Sequence, residues 1–275
     1  MGFFNNAFFN WLLRKNKPKK LKLGLALGSG GAKGFAHLGA LKAFEENGIE
    51  FDIIAGTSIG SVVGAFYSAG YSSIDILELL KRIDFGEIKN LLPIKMDMDG
   101  MYNVVDREIG SLTIEELPKP FRAIATQIES GEEKVFDNGN IAKALCASSS
   151  MPPFFKPVVI DGVRYIDGAY TNSIPADVVK RLGADYIVGI DLSTRETKSS
   201  SMLSKIFPTY KSKVQEPWSK GYEFSNTMLH PDLNEYSAIE FWNGSKMYQI
   251  GYEHALSFIP KIKEDIERLK YNKKK

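Results

Sequence analysis

Between residues 22 and 70, short apolar runs alternate with glycine-rich turns and helical patterns, and this order constrains the fold more than any other feature. The runs at 22–27 and 51–55 have the length and composition of buried strands. Each is followed by a glycine turn and then by a helical pattern. A repeated strand–turn–helix unit is typical of a parallel sheet covered by helices. We therefore predict an α/β fold in which both turns lie at the carboxyl edge of the sheet.

The rest of the chain continues this alternation less regularly. The patterns predict strands at 121–128, within EEKVFDNG, in a hairpin that turns at Asp161-Gly162, and at 184–192. They predict helices at 35–47, 61–69, 73–82, 141–148, 175–182 and 251–270. The Met- and Asp-rich segment 88–103 reads as irregular, and the polar residues 193–218 read as an excursion from the domain. We predict one folded domain, residues 21–275, preceded by a distinct segment, residues 1–20.

Composition excludes several classes of protein. The 275 residues are 44% hydrophobic with a net charge of +2, so nothing indicates a nucleic-acid partner. A single cysteine, Cys146, excludes an intramolecular disulfide and fits a reducing compartment. No run approaches the roughly 18 apolar residues of a membrane span. We expect a cytoplasmic protein, and the sequence does not indicate its oligomeric state.

Residues 1–20, MGFFNNAFFNWLLRKNKPKK, carry aromatic and aliphatic side chains at helical spacing, followed directly by basic residues. Two interpretations stay open. The segment is a helix that lies in an anionic membrane surface, which would place the protein at the inner face of the membrane. Alternatively, it covers a groove on its own domain or on a partner.

The second turn reads GTSIG and places Ser58 between Gly56 and Gly60. A serine on a sharp strand-to-helix turn is held in a strained conformation, and larger neighbours would clash with the strand and helix. The helix N-terminus would also favour negative charge that develops near this serine. Ser58 is therefore a candidate nucleophile. The alternative is a helix N-cap in a tight turn.

The first turn, from Gly28 to Gly34, is a candidate oxyanion hole. Because both turns should meet at one sheet edge, the backbone N–H groups of Gly30 and Gly31 could point at a reacting carbonyl oxygen. A dinucleotide loop is disfavoured, since Ser29 replaces the first glycine of G-x-G-x-x-G and no acidic residue ends the following strand. A Walker loop lacks its Lys-Ser/Thr pair.

A serine nucleophile also needs a base, and the chain has three histidines. His37 and His254 lie in helical patterns, where packing is the simpler role. His230 precedes a proline in a loop and is the only histidine that stays a candidate base. Asp167 ends the second hairpin strand and is not needed for the turn. Its carboxylate could take the Ser58 proton if desolvation raises its pKa above the reference of about 4, or if it acts late against strong oxyanion stabilisation.

Taken together, the sequence resembles the patatin-like phospholipase family in its bacterial single-domain form, over roughly residues 21–192. Four motifs in order carry the resemblance: GSGGAKGFAHLG (28–39), GTSIG (56–60), ALCASSSMPPFFKPV (144–158) and YIDGAYTNSIP (165–175). The resemblance implies a three-layer α/β/α sandwich with a mostly parallel sheet. It also implies acyl-ester hydrolysis by a Ser–Asp dyad without histidine.

Residue by residue, Ser58 matches the family nucleophile, Asp167 its aspartate, and Gly30 and Gly31 its oxyanion-hole glycines. The other matching motif residues are Gly28, Gly34, Gly56, Gly60 and Gly168. Two positions depart from the family pattern. Ser29 replaces a glycine, and Lys33 replaces a common arginine. Lysine keeps the charge but loses the planar fork, which leaves affinity for a lipid head group in question.

The expected substrate is a phospholipid or another fatty acyl ester, with no cofactor. Residues 96–101 contain three methionines and are either a lid or core filler. Asp97 and Asp99 mimic part of a calcium loop, but the remaining ligands are missing, so we expect no metal. The alternative function is a lipid-binding or regulatory protein that keeps the fold but has little turnover.

Overall fold

The computed structural model describes residues 20–82, 97–193 and 216–274. Its strands are β1 (Leu23–Leu27), β2 (Ile53–Thr57), β3 (Phe121–Gln127), β4 (Glu133–Phe136), β5 (Val158–Ile160), β6 (Val163–Asp167), β7 (Tyr186–Ile190) and β8 (Thr227–Leu229). Its helices are α1 (Phe35–Glu46), α2 (Ile59–Ser68), α3 (Ser73–Arg82), α4 (Asp99–Ile109), α5 (Ile141–Ser149), α6 (Ala176–Arg181), α7 (Ser219–Phe224) and α8 (Gly244–Lys274).

The strands form one mixed, mostly parallel sheet. The pairs β3–β2, β2–β1, β1–β7 and β7–β8 are all parallel, as the alternation of strands and helices predicts. The hairpin strands β5 and β6 are antiparallel to each other, and β4 and β6 both run antiparallel to β3. The parallel centre places the ends of β1, β2 and β7 at one carboxyl edge.

Helices cover both faces of the sheet, which confirms the α/β/α sandwich. One face packs against α1, α2, α5 and α8 through the larger apolar cluster, which includes Leu25, Phe44, Phe66 and Leu145. The other face packs against α6 through a smaller cluster, which includes Ile53, Ile124 and Val179. Strands buried on both faces explain why 22–27 and 51–55 read as continuous apolar runs.

Two sequence predictions are wrong in part. Residues 99–103 are not irregular, because helix α4 begins at Asp99 and buries Val105 and Ile109 on one face. The last helix begins at Gly244, seven residues before the predicted start at Gly251. Its buried side chains lie on one helical face that begins at Met247, before the predicted start, and the helix packs along α1.

Four predictions fall wholly or partly outside the described residues. They are the segment 1–20 as far as residue 19, the irregular segment 88–103 as far as residue 96, the candidate lid 96–101 at residue 96, and most of the polar excursion, 194–215. Where the chain is described, no helix has the length and hydrophobicity needed to cross a membrane. Residue 20 lies shortly before β1, at the amino edge of the sheet, opposite the edge where Ser58 lies.

Candidate active site

Ser58 occupies a one-residue turn between β2, which ends at Thr57, and α2, which begins at Ile59. Its backbone has φ 56° and ψ −129°, and Ser58 is one of two described non-glycine residues with positive φ. A residue held in this region stores backbone strain, which is common at reactive sites. Ser58 occupies the N-cap position of α2, but its side chain makes no cap hydrogen bond there.

The flanking glycines allow this turn because their neighbours leave no room for a side chain. A Cβ on Gly56 would lie 2.2 Å from the Gly60 carbonyl oxygen. A Cβ on Gly60 would lie 2.3 Å from the Leu27 oxygen and 2.6 Å from the Gly28 oxygen. The pattern therefore serves two purposes. It closes the turn, and it brings the Ser58 turn against the loop that follows β1.

Asp167 reaches this turn through the pairing of β3. Strand β2 pairs with residues 121–124 of β3, β6 with 125–127, and β4 with 123–126. A strand has only two edges, so β4 takes one edge while β2 and β6 follow each other along the other.

Along that shared edge, Asp167 and the residue before Ser58 pair with consecutive residues of β3. Thr57 pairs with Ile124, and Asp167 pairs with the next residue, Ala125. Asp167 therefore pairs with β3 at the position directly after the last residue of β2, where the β2 chain turns away at Ser58.

The Asp167 carboxyl group is completely buried. Its Oδ1 accepts a hydrogen bond of 2.8 Å from the Ala169 amide. Its Oδ2 has no partner with full hydrogen-bond geometry among the described residues, yet the Ser58 hydroxyl lies close enough to lower the carboxyl pKa. The Ser58–Asp167 contact is therefore looser than a full hydrogen bond. Such contacts are common in catalytic pairs before substrate binds.

Burial dominates the acidity of Asp167. Desolvation raises its pKa to about 7, although the nearby Ser58 hydroxyl and the hydrogen bond from the Ala169 amide act in the opposite direction. Removing a carboxylate from water disfavours its charged form, which is the condition that a carboxylate base needs near neutral pH.

The glycine loop presents two unused amides at the same edge. Four of its N–H groups bond to backbone carbonyls outside regular elements: Gly28 to Ile190, Ser29 to Ser173, Ala32 to Ala238 and Lys33 to Gly30. The N–H groups of Gly30 and Gly31 have no hydrogen-bond partner among the described residues. Gly31 has φ 55°, and a Cβ there would lie 2.3 Å from the Ala238 oxygen, so a side chain would be strained. Two free donors beside a serine are the elements of an oxyanion hole.

The two positions that depart from the family pattern have defined surroundings. The Ser29 hydroxyl lies 2.9 Å from that of Ser173, which links the glycine loop to the segment after Asp167. The Lys33 side chain is buried. Burial lowers its pKa, while the carboxylates of Asp191 and Glu240 oppose this. Lys33 therefore sits in an acidic surrounding at the carboxyl edge.

None of the histidines is placed as a base for Ser58. His37 is buried, its pKa is lowered to about 4 by burial, and its Nε2 donates to the Gly28 oxygen at 2.8 Å. His230 follows β8, three strands from β2, which is about 14 Å at the usual strand spacing. It lies against Tyr222 and Asp191, and its amide donates to His254 Nε2.

The structure adds residues that motif reasoning missed. The Ser58 amide donates to the hydroxyl of Ser148, 3.0 Å away at the end of α5. The Thr57 hydroxyl donates to the Asn172 carbonyl oxygen at 2.7 Å. Both partners lie inside motifs that carry the family resemblance, SSSMPP and YIDGAYTN. Their positions in those motifs were the only sequence signal, because neither residue type suggests a role by itself.

The family model of patatin-like phospholipases matches residues 25–180, more than half of the chain. The chain therefore belongs to the patatin-like phospholipase family. The match contains all four motifs and ends at residue 180, within α6.

Curated relatives extend the similarity. The chain is 26% identical to Lysophospholipase NTE1 of Pyricularia oryzae over 281 residues, covering 88% of this chain and 19% of that protein. It is 32% identical to Neuropathy target esterase sws of Drosophila melanogaster, covering 63% of this chain and 13% of the relative. An uncharacterized NTE family protein of Mycobacterium tuberculosis is 31% identical over 190 residues, which cover 67% of this chain and 52% of that protein. The chain thus spans about a fifth of the fungal relatives' length.

Solved structures share the fold at low sequence identity. VipD from Legionella pneumophila superposes with a TM-score of 0.58 at 13% identity, over 88% of this chain and 67% of its own. The type III effector ExoU superposes with a TM-score of 0.51 at 14% identity, over 89% of this chain and 54% of its own. These likenesses support the sandwich architecture independently of the motifs.

Proposed function

We propose that this protein is a serine acyl hydrolase that cleaves fatty acyl esters of phospholipids or lysophospholipids. The observation that carries the proposal is the convergence of Ser58, Asp167 and two free glycine amides at one sheet edge. Family membership and relatives named lysophospholipase support the lipid ester as substrate.

In the first half-reaction, Ser58 Oγ attacks the ester carbonyl carbon while the Asp167 carboxylate accepts the hydroxyl proton. The amides of Gly30 and Gly31 donate to the oxyanion of the tetrahedral intermediate, and each such donor contributes about 3 kcal/mol. The intermediate then collapses. The C–O bond to the alcohol breaks, the leaving oxygen takes the proton from Asp167, and an acyl-Ser58 ester remains.

In the second half-reaction, water gives a proton to Asp167 as its oxygen attacks the acyl carbonyl. Collapse releases the fatty acid and returns the proton to Ser58. A carboxylate with a pKa near 7 fits both directions, since it can accept a proton from the nucleophile and return it to the leaving group near neutral pH. No metal or cofactor is needed for this sequence of steps.

The proposal is tested by hydrolysis of a lysophosphatidylcholine and of a soluble p-nitrophenyl ester. We expect Ser58→Ala to lower kcat at least about 1,000-fold, as removal of a nucleophile does in other serine hydrolases. Ser149→Ala is the matched control, because the Ser149 hydroxyl has no described partner and is not assigned to the machinery. Full activity in Ser58→Ala would refute the proposal. If wild type hydrolysed no ester, a lipid-binding role would replace it.

We further propose that residues 1–20 attach the catalytic domain, residues 21–275, to an anionic membrane surface, which would place the enzyme at the inner face of the membrane. Their aromatic and basic composition supports this. Deletion of residues 1–19 should weaken binding to phosphatidylglycerol vesicles and leave hydrolysis of the soluble ester unchanged. Equal vesicle binding before and after deletion would contradict it.

A further inference from the structure

A polar cluster lies beside the dyad, between the edge strand β4 and the helices α6 and α7. It contains two carboxylates, two cations and one amide: Glu133, Asp177, Arg181, Lys220 and Asn172. Arg181 Nη1 lies 2.6 Å from Asp177, and Lys220 Nζ lies 2.9 Å from Glu133 and 3.5 Å from Asp177. Arg181 also lies 3.6 Å from Glu133. The four charges balance.

Asn172 bridges the two carboxylates with one amide group. Its Nδ2 donates to Asp177 Oδ1 at 2.7 Å and to Glu133 Oε2 at 3.0 Å. The side chain is completely buried. To donate to both carboxylates without changing the charge balance, the side chain must be uncharged and carry two N–H donors on one atom. The side-chain amide of asparagine meets both conditions. The amide orientation follows from the partners, since both of them can only accept.

The backbone around Asn172 connects the three parts of the proposed site. The backbone N–H of Asn172 donates to the carbonyl oxygen of Gly168 at 2.9 Å. Gly168 directly follows the base Asp167. The Asn172 carbonyl accepts from the Thr57 hydroxyl, directly before the nucleophile. The next carbonyl, of Ser173, accepts from the Ser29 amide in the glycine loop at 3.0 Å. The segment 167–173 therefore touches the base, the nucleophile strand and the oxyanion loop.

We propose that Asn172 is a positioning residue. Clamped between Glu133 and Asp177, it fixes segment 167–173 and thereby sets the distance of the Asp167 carboxylate from Ser58. This inference rests on the proposed function, because it concerns the alignment of that dyad. It assigns no contact with substrate.

Electrostatics support the clamp. Burial would raise the pKa of Asp177, but the Asn172 hydrogen bond and the charges of Lys220 and Arg181 outweigh burial and hold the pKa below its ordinary value. The Asp177 carboxylate is thus ionised when the amide binds it. A third carboxylate at position 172 would face two negative charges and lose both donated hydrogen bonds.

The test uses the full chain and the soluble p-nitrophenyl ester. Asn172→Ala, Asn172→Ser and Asn172→Asp are measured for kcat and KM from pH 5.5 to 9, with kcat expressed per serine labelled by a fluorophosphonate. We expect Asn172→Ala to lower kcat about 10- to 100-fold, since displacements near 1 Å have effects of this size, with KM unchanged. Asn172→Ser, which keeps one donor, should fall between wild type and Asn172→Ala.

The pH profile separates positioning from general loss of structure. Wild-type kcat should rise through the Asp167 pKa to a plateau. Asn172→Asp should give a bell-shaped profile instead, because the new carboxyl group donates a hydrogen bond only while it holds its proton. Lys180→Gln is the matched control. It removes a cation from the same helix, α6, through an exposed side chain that is not part of the cluster, and should keep wild-type kcat, KM and profile.

Wild-type kcat per labelled serine in both Asn172→Ala and Asn172→Ser would overturn the inference, as would an equal loss in Lys180→Gln. If Asn172→Asp does not fold, the Ala and Ser variants decide. Wild-type protein that is not labelled at Ser58 would instead refute the proposed function, so the two failures are distinguishable.

Discussion

Replacing Asp167 by asparagine should stabilise the folded protein while it abolishes efficient catalysis. Asparagine has nearly the same shape, and its Oδ1 can still accept the hydrogen bond from the Ala169 amide. The change removes an ionisable group that is completely buried. A residue kept at a position where it destabilises the fold is expected when it serves chemistry.

The magnitude follows from the pKa of Asp167, which burial raises from 3.8 to about 7. The unfolded chain releases this proton near pH 4, whereas the folded protein keeps it up to about pH 7. Across that interval the native state binds more protons, so wild-type stability falls as pH rises, and above pH 7 the penalty is constant. A shift of about three units, at 1.36 kcal/mol per unit, amounts to about 4 kcal/mol.

The assay is urea unfolding of wild type and Asp167→Asn from pH 5 to pH 8.5. The variant should be more stable throughout, and the difference in unfolding free energy should widen by about 2–3 kcal/mol over that range. Asp161→Asn, at the exposed hairpin turn, is the matched control and should show no such widening. A difference that stays constant or narrows with rising pH would refute a buried, high-pKa Asp167.

Three further predictions concern the same site. In wild type, kcat/KM for a soluble ester should rise tenfold per pH unit below about pH 7 and level off above it, because only ionised Asp167 accepts the proton; a flat profile from pH 5.5 to 8.5 would contradict this. Ser148→Ala removes the hydroxyl that accepts from the Ser58 backbone N–H, so it should lower the free energy of unfolding in urea by about 1–3 kcal/mol and slow fluorophosphonate labelling. An unchanged unfolding free energy and labelling rate would show that this hydrogen bond is dispensable. Gly60→Ala places a Cβ 2.3 Å from the Leu27 oxygen, so we expect a clearly lowered melting temperature or insoluble protein, and wild-type melting would contradict the packing of the turn.

Local features of the site could be predicted from the sequence because local physics determines them. Gly56 and Gly60 are required by close backbone approach at one turn, and the Asp161-Gly162 hairpin by its positive φ angles. Both signals are contained in a few neighbouring residues. The buried strands were equally clear, since burial on both faces produces continuous apolar runs.

Contacts between distant segments could not be derived in the same way. The approach of Asp167 to Ser58 depends on sheet register, because Asp167 pairs with Ala125 of β3, the residue after the partner of Thr57. The sequence indicated the carboxylate and the family motif, but not this register. Asn172 and Ser148 were missed for the same reason, because their partners lie 39 and 90 residues away. Helix α4 was missed because its short apolar stripe is diluted by polar residues.

The central claim is that Ser58 is a nucleophile activated by Asp167, and covalent labelling tests it most directly. Wild type and Asp167→Asn would be treated with a fluorophosphonate and examined by intact mass and peptide mapping. We predict a single adduct on Ser58 in wild type and much slower labelling of Asp167→Asn. Absence of an adduct under conditions that label a control serine hydrolase, or equal labelling of both proteins, would contradict the account.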